Sequence, residues 1–159
     1  MSPPESYKHK ISVISPLSGS LADPGESELG QHVRLFGHGC LIKVTGSQLI
    51  APFTGIVTEL PATGYELKFK AGNGLQLWIR IGSKTHLLYG QGCQQLVKKG
   101  VKVTAGTPLL QFNPAMLKQM ESPLYASIVI VNGQKLIACE TRKARQSLAF
   151  EDVLMDLYL

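Results

Sequence analysis

Short apolar runs rich in β-branched and aromatic residues, broken by glycine and proline, dominate this chain, and they predict β-strands separated by turns. The predicted strands are Lys10 to Ser15, Cys40 to Val44, Gln48 to Ala51, Gly55 to Glu59, Tyr65 to Lys70, Leu75 to Ile81, His86 to Tyr89, Val101 to Val103, Pro108 to Phe112, Ala126 to Val131 and Lys135 to Cys139. Helical signals are few. Asn113 ahead of Pro114 caps a short helix whose apolar stripe is Met116, Leu117 and Met120, and Gln31 to Phe36 predicts one further turn. From Ser147 onward, Leu148, Phe150, Val153, Leu154 and Leu157 recur at steps of three and four, which predicts an amphipathic terminal helix with Asp152 and Asp156 toward water. Such a helix packs on its own barrel or, through 148–158, on a second copy.

The fold class is therefore all-β: a compact sandwich or barrel with short helices and a C-terminal helix. It divides into an N-terminal arm at 1–9, a β domain at 10–140 and a helical extension at 141–159. An internal echo sharpens this. Ser15-Pro16-Leu17-Ser18-Gly19 and Ala51-Pro52-Phe53-Thr54-Gly55 share the order small residue, proline, apolar residue, hydroxyl residue, glycine. Proline suits a strand's edge or start and glycine the bend after it, so two such corners indicate a duplicated β motif. Ser122-Pro123-Leu124 is a blurred third copy.

The length of 159 residues suits one domain, and 44% hydrophobic with 17% charged residues is enough to fill a core. No run is long enough for a membrane helix, and Met1 to Lys10 has no apolar stretch to serve as a signal peptide, so a cytoplasmic protein without stable membrane insertion is expected. Cys40, Cys93 and Cys139 form no CxxC pair, which predicts buried thiols and neither a disulfide framework nor a zinc site. The charge of +5 is scattered along the sequence: Lys98 and Lys99 in a turn, Lys68 and Lys70 on a strand, Arg142, Lys143 and Arg145 near the C-terminus. With aromatics at only 7%, nucleic acid is not an expected partner.

Catalytic signals are sparse. His9, His32, His38 and His86 fall in no metal-ligand spacing, no GxSxG elbow occurs, and Gly72 and Gly74 around Asn73 punctuate a hairpin where a phosphate loop would lead into a helix. No cofactor and no metal site are expected.

The run Gly74-Leu75-Gln76-Leu77-Trp78-Ile79-Arg80-Ile81-Gly82-Ser83-Lys84-Thr85, followed by Gly90-Gln91-Gly92-Cys93, changes the picture. With Ile11 to Gly19, Gly37 to Lys43, Thr45-Gly46, Ala51 to Gly55 and Lys99 to Leu110, it resembles the glucose-type enzyme IIA (EIIA) of the bacterial phosphoenolpyruvate-dependent sugar phosphotransferase system, over about residues 10–133. The resemblance implies a β-sandwich of the duplicated hybrid motif type. It also implies a site of two facing histidines, one taking a phosphoryl group from the carrier protein HPr and passing it to a sugar permease. Here Arg80 stands in the acceptor's place and Tyr65 in the helper's. Thr63 is retained, and an acidic residue four positions after the acceptor has become Lys84.

These exchanges are chemically decisive. A guanidinium is protonated at neutral pH and has no lone pair for phosphorus, and a phenol needs a neighbouring base to attack. The resemblance thus implies a degenerate member without phosphoryl transfer, a pseudoenzyme acting as a regulatory or protein-binding module. Arg80 and Lys84, beside Tyr65 and Thr63, are candidates for holding an anionic group of a partner. Trp78, Phe36 and Tyr65 are candidate contacts for phosphotransferase components, permeases or metabolic enzymes. The alternative is an active phosphocarrier with a displaced acceptor, for which His86 is the candidate. Val101 to Phe112 is also similar to the hairpins of biotinyl and lipoyl carrier domains, but no exposed Met-Lys-Met turn is present.

Periodicity adds one geometric expectation. A three-residue turn at Gly72-Asn73-Gly74 puts Tyr65, Leu67 and Phe69 on one face with Leu75, Leu77, Ile79 and Ile81, leaving Arg80 opposite. The facing pair that the resemblance implies requires a one-residue shift of that register.

Overall fold

The computed structural model describes residues 9–133, 138–141, 149 and 152–158. Three antiparallel sheets share one core. The large sheet uses β2 (Gly19–Ala22), β3 (Gly39–Val44), β5 (Gly55–Glu59), β6 (Glu66–Ala71), β7 (Gln76–Ile81), β9 (Lys102–Val103) and β11 (Tyr125–Ile130), in the order β2-β3-β11-β7-β6-β5-β9. A second sheet has β10 (Pro108–Phe112) between β4 (Gln48–Ile50) and β8 (Cys93–Gln95). In the third, β13 (Val153–Tyr158) lies between β1 (Lys10–Ile14) and β12 (Ala138–Thr141).

Alternation sets the faces. Along β6 and β7, Leu67, Phe69, Leu77, Ile79 and Ile81 are at most 1% exposed and join Leu49, Leu109 and Leu157 in the core. Their neighbours Lys68, Lys70, Gln76, Trp78 and Arg80 line the other side of the large sheet. There α1 (Gly30–Phe36) covers β3 and β11, burying Leu29 with Leu41 and Tyr125. The second helix, α2 (Pro114–Met120), has its predicted cap: Asn113 Oδ1 accepts from the backbone N–H groups of Ala115 at 3.0 Å and Met116 at 3.3 Å.

The sequence echo is a structural repeat. Gly19 opens β2 opposite Val44 of β3, and Gly55 opens β5 opposite Ala71 of β6. Just before each glycine the hydroxyl residue's carbonyl accepts from the residue after the partner strand, Ser18 from Thr45 and Thr54 from Gly72, both at 2.9 Å. A Cβ at either glycine would lie 2.2 Å from a backbone carbonyl, that of Lys43 or Lys70. Both corners therefore need glycine for the close approach of two strands.

Two expectations are corrected. Residues 153–158 form a strand, not a terminal helix. Their three-and-four spacing comes from VLMDLY being apolar on both faces, and Leu154, Met155, Leu157 and Tyr158 are at most 2% exposed between two strands. Asp156 does not face water: it is 3% exposed and accepts a 2.7 Å hydrogen bond from Ser12 Oγ. This strand is spent on the chain's own sheet, which removes it as a surface for a second copy; Leu148 and Phe150 lie outside the described residues. Likewise the expected strand at His86–Tyr89 is a 3-10 turn, Thr85–Leu88, held by Thr85 Oγ1 on the Ile81 carbonyl at 2.5 Å. Residues 1–8, the run 134–137 and Arg142, Lys143 and Arg145 lie outside the described residues.

Replacing Gly55 by valine tests the corner. Because the clash is with backbone, the expected loss is about 3 kcal/mol of unfolding free energy, measured by urea denaturation. A loss within about 0.5 kcal/mol would mean that the strands do not approach as described.

Candidate functional site

The site is built on the β6–β7 hairpin. Its turn comprises Gly72, Asn73 and Gly74, with Gly74 at φ +94° and Asn73 Oδ1 accepting from Leu75 N at 3.0 Å. Phe69 pairs with Leu77, Leu67 with Ile79 and Glu66 with Arg80. The Ile81 amide continues the ladder by donating to the Tyr65 carbonyl at 2.8 Å. Tyr65 thus falls on the core side and Arg80 on the outer side, as periodicity predicts. The facing pair of residues 65 and 80 is not formed.

Each residue has its own partners. Arg80 is held on the outer face by Glu66, Nε to Oε2 at 3.5 Å, and by contact of Nη1 with Nε2 of His32, which α1 brings down onto the sheet. Since guanidinium only donates, His32 Nε2 must accept, so that ring is neutral with its proton on Nδ1. Its pKa is held below the usual histidine range by burial first and by the Arg80 charge second, with Glu66 opposing. Trp78 completes the cluster. Its indole N–H donates to Glu66 Oε2 at 3.1 Å, and Lys68 and Arg80 lie 5.0 and 5.6 Å from the ring. His32 and Phe36 meet the indole edge-on, with centroids 5.1 and 6.1 Å away.

Tyr65 is 3% exposed, and its hydroxyl donates to the Gln91 carbonyl at 2.6 Å. Burial, with Cys93 beside it, pushes its pKa up to about 12. Burial raises Cys93 to about 11, so phenol and thiol are both neutral at pH 7. Tyr65 is therefore no surface contact. Lys84 is exposed, while its backbone N–H and that of Ser83 donate to the two carboxylate oxygens of Glu121 at 2.8 and 2.9 Å. A carboxylate from the end of α2 thus anchors the loop that carries Lys84.

At the open end of the hairpin, Thr63, Tyr65, Glu66, Arg80, Gly82, Thr85 and His86 line a small cleft with room of about 20 Å³, enough for roughly one water. His86 is exposed on the rim. No group of three or more potential metal ligands occurs among the described residues.

Residues 11–136 match the family model described as phosphoenolpyruvate-dependent sugar phosphotransferase system, EIIA 1. The chain belongs to that family. It is 30% identical over 125 residues to the glucose-specific EIIA component of Staphylococcus aureus, covering 77% of this chain and 74% of that protein. With the corresponding component of Haemophilus influenzae it shares 25% over 124 residues, covering 78% and 74%. The glucose permease IIA of Mycoplasma capricolum has the same fold, with a TM-score of 0.78 at 20% identity over 94% of this chain and 96% of that one.

Sequence reasoning missed three residues of the site. Glu66 was within reach, since the three-residue turn that faces Tyr65 inward also pairs 66 with 80. His32 and Glu121 were not, because each depends on where a helix docks.

The His32–Arg80 contact has a direct readout. By NMR titration His32 should have its midpoint below the ordinary value of 6.5. In Arg80→Gln the midpoint should rise, because one of the two lowering causes is gone. Folding stability should increase as pH rises through that window, since the unfolded chain binds the His32 proton more tightly. An unchanged midpoint in the variant would mean that the contact is absent in solution.

Proposed function

We propose that this EIIA-family protein has lost phosphoryl transfer through positions 65 and 80 and works in the cytoplasm as a regulatory or protein-binding module of sugar transport or metabolism. The observation that carries the reading is the state of Arg80: a permanent cation without a lone pair, engaged by Glu66 and His32. His32 does not replace it as nucleophile, because its free nitrogen points at that cation. Tyr65 is protonated, buried and hydrogen-bonded.

Binding remains available to this face. Leu35 beside Phe36 on α1 is 79% exposed, and Leu87 and Tyr89 beside His86 are 58% and 82% exposed, so apolar side chains stand on both elements that flank Arg80. Partners of the family's kind, phosphotransferase components, permeases or metabolic enzymes, would bury these side chains. A carboxylate or phosphohistidine on such a partner would compete with Glu66 for Arg80 and draw on Lys84 and Thr63 at the rim.

A second reading, transfer through a displaced acceptor, rests on His86 lying on the rim of the cleft that Arg80 lines. One experiment separates the two. On incubation with labelled phosphoenolpyruvate, enzyme I and HPr, the protein should retain no acid-labile phosphate. Stoichiometric label that disappears in His86→Ala would establish the second reading and overturn the first.

A further inference from the structure

Lysines that are far apart in the chain meet on the outer face of the large sheet and at the edge that borders it. Strand register places Lys102 of β9 opposite Ile56 of β5, and Ile56 opposite Lys70 of β6. In the next row Lys68 lies between Glu59 and Trp78. The Lys98–Val101 turn borders the same edge: Gly100 N donates to the Val57 carbonyl at 2.9 Å, and Val101 N to the Lys98 carbonyl at 3.3 Å. Lys70, Lys98, Lys99 and Lys102 are exposed, and none forms an ion pair among the described residues. Glu59 neutralises Lys68 alone, at 3.4 Å. One aliphatic side chain stands within the band, Ile56 at 37% exposure, and Val101, at 51%, is exposed in the bordering turn.

Every cation in this band is lysine. Ammonium groups on flexible stems act as point charges and lack the planar fork with which arginine reads a shaped anion. The surface is a sheet and its edge, with no helix to enter a groove, and Trp78 at its far side is already enclosed by Lys68, Arg80, His32 and Phe36. Such a band suits a diffuse anionic surface. The Ile56 side chain between two lysines, with the lysine stems around it, suits the boundary between headgroups and acyl chains.

We propose that the lysine band of β6, β9 and the Lys98–Val101 turn docks this protein peripherally on an anionic phospholipid surface. Among the described residues no helix is long and apolar enough to cross a membrane. The attraction is the sum of several lysines near a negative surface, reinforced by shallow burial of Ile56 between Lys70 and Lys102. Lys68 reaches from this band to the Trp78 ring, so docking would hold the Arg80 cluster next to the membrane surface. The inference does not rest on the binding reading given above.

Flotation of the full chain with vesicles tests it. Phosphatidylcholine vesicles containing roughly 30% phosphatidylglycerol should carry the protein at low salt, and pure phosphatidylcholine should not. Binding should be lost in about 0.5 M salt. Lys98→Glu/Lys99→Glu should lower the partition coefficient roughly tenfold or more, whereas Lys10→Glu/Lys118→Glu, an equal charge change elsewhere, should lower it far less. Circular dichroism establishes that both variants are folded. No flotation on anionic vesicles, equal flotation on neutral ones, or an equal loss in the two charge pairs would overturn the proposal. So would salt-sensitive retention of duplex DNA without flotation, which would assign the band to nucleic acid.

Discussion

The register of the β6–β7 hairpin governs everything at this site. In an antiparallel pair the side-chain period is two, so a shift by one residue reverses the face of every side chain on the strand. With Glu66 opposite Arg80 and the Tyr65 carbonyl on the Ile81 amide, the guanidinium lands beside a carboxylate on the outer face and the phenol lands in the core. The register is itself held in place by packing. Moving it by one residue would carry Leu77, Ile79 and Ile81, all 0% exposed, to the outer face.

Two environments follow from that placement, and both are chemically quiet. Outside, Arg80 is held by Glu66, His32 and the face of Trp78, an arrangement suited to fixing a cation and to offering it to a stronger anion. Inside, the Tyr65 hydroxyl has already given its hydrogen bond to Gln91, and burial disfavours its ionised form. Family membership places the chain with sugar phosphotransferase components. Neither pairing leaves a nucleophile at position 65 or 80: Arg80 has no free lone pair, and the Tyr65 phenol is protonated and hydrogen-bonded.

The parts of this molecule that were legible in the sequence are the local ones. β5 and β10 have the predicted bounds, α2 has its predicted cap, and the two proline–glycine corners make the same cross-strand bond. Strand β13 was misread because a doubly buried strand has no alternation to distinguish it from a helix, and its apolar residues happened to fall at helical steps. The short strands β2 and β8 were missed altogether: GSLA and CQQ carry little apolar signal, and ladder bonds to β3 and β10 define them. At the site, Arg80, Tyr65 and Lys84 could be singled out from the sequence, and Glu66 follows from the hairpin register, whereas the groups from outside the hairpin could not. His32 and Glu121 arrive on separately docked helices, 48 and 37 residues away from Arg80 and Lys84.

Charge shows the same limit. Lysines that look scattered along the chain become one band because β9, β5 and β6 are neighbours, and no linear window contains that fact. The claim underneath all of these readings is the pairing of residue 66 with residue 80. Cross-strand nuclear Overhauser effects between α-protons test it most directly, because opposed residues of a non-hydrogen-bonded pair bring their Cα atoms to about 4.5 Å. The account predicts strong α-proton contacts between Glu66 and Arg80 and between Lys68 and Trp78. A strong contact between Tyr65 and Arg80 in their place would mean the shifted register and would contradict it.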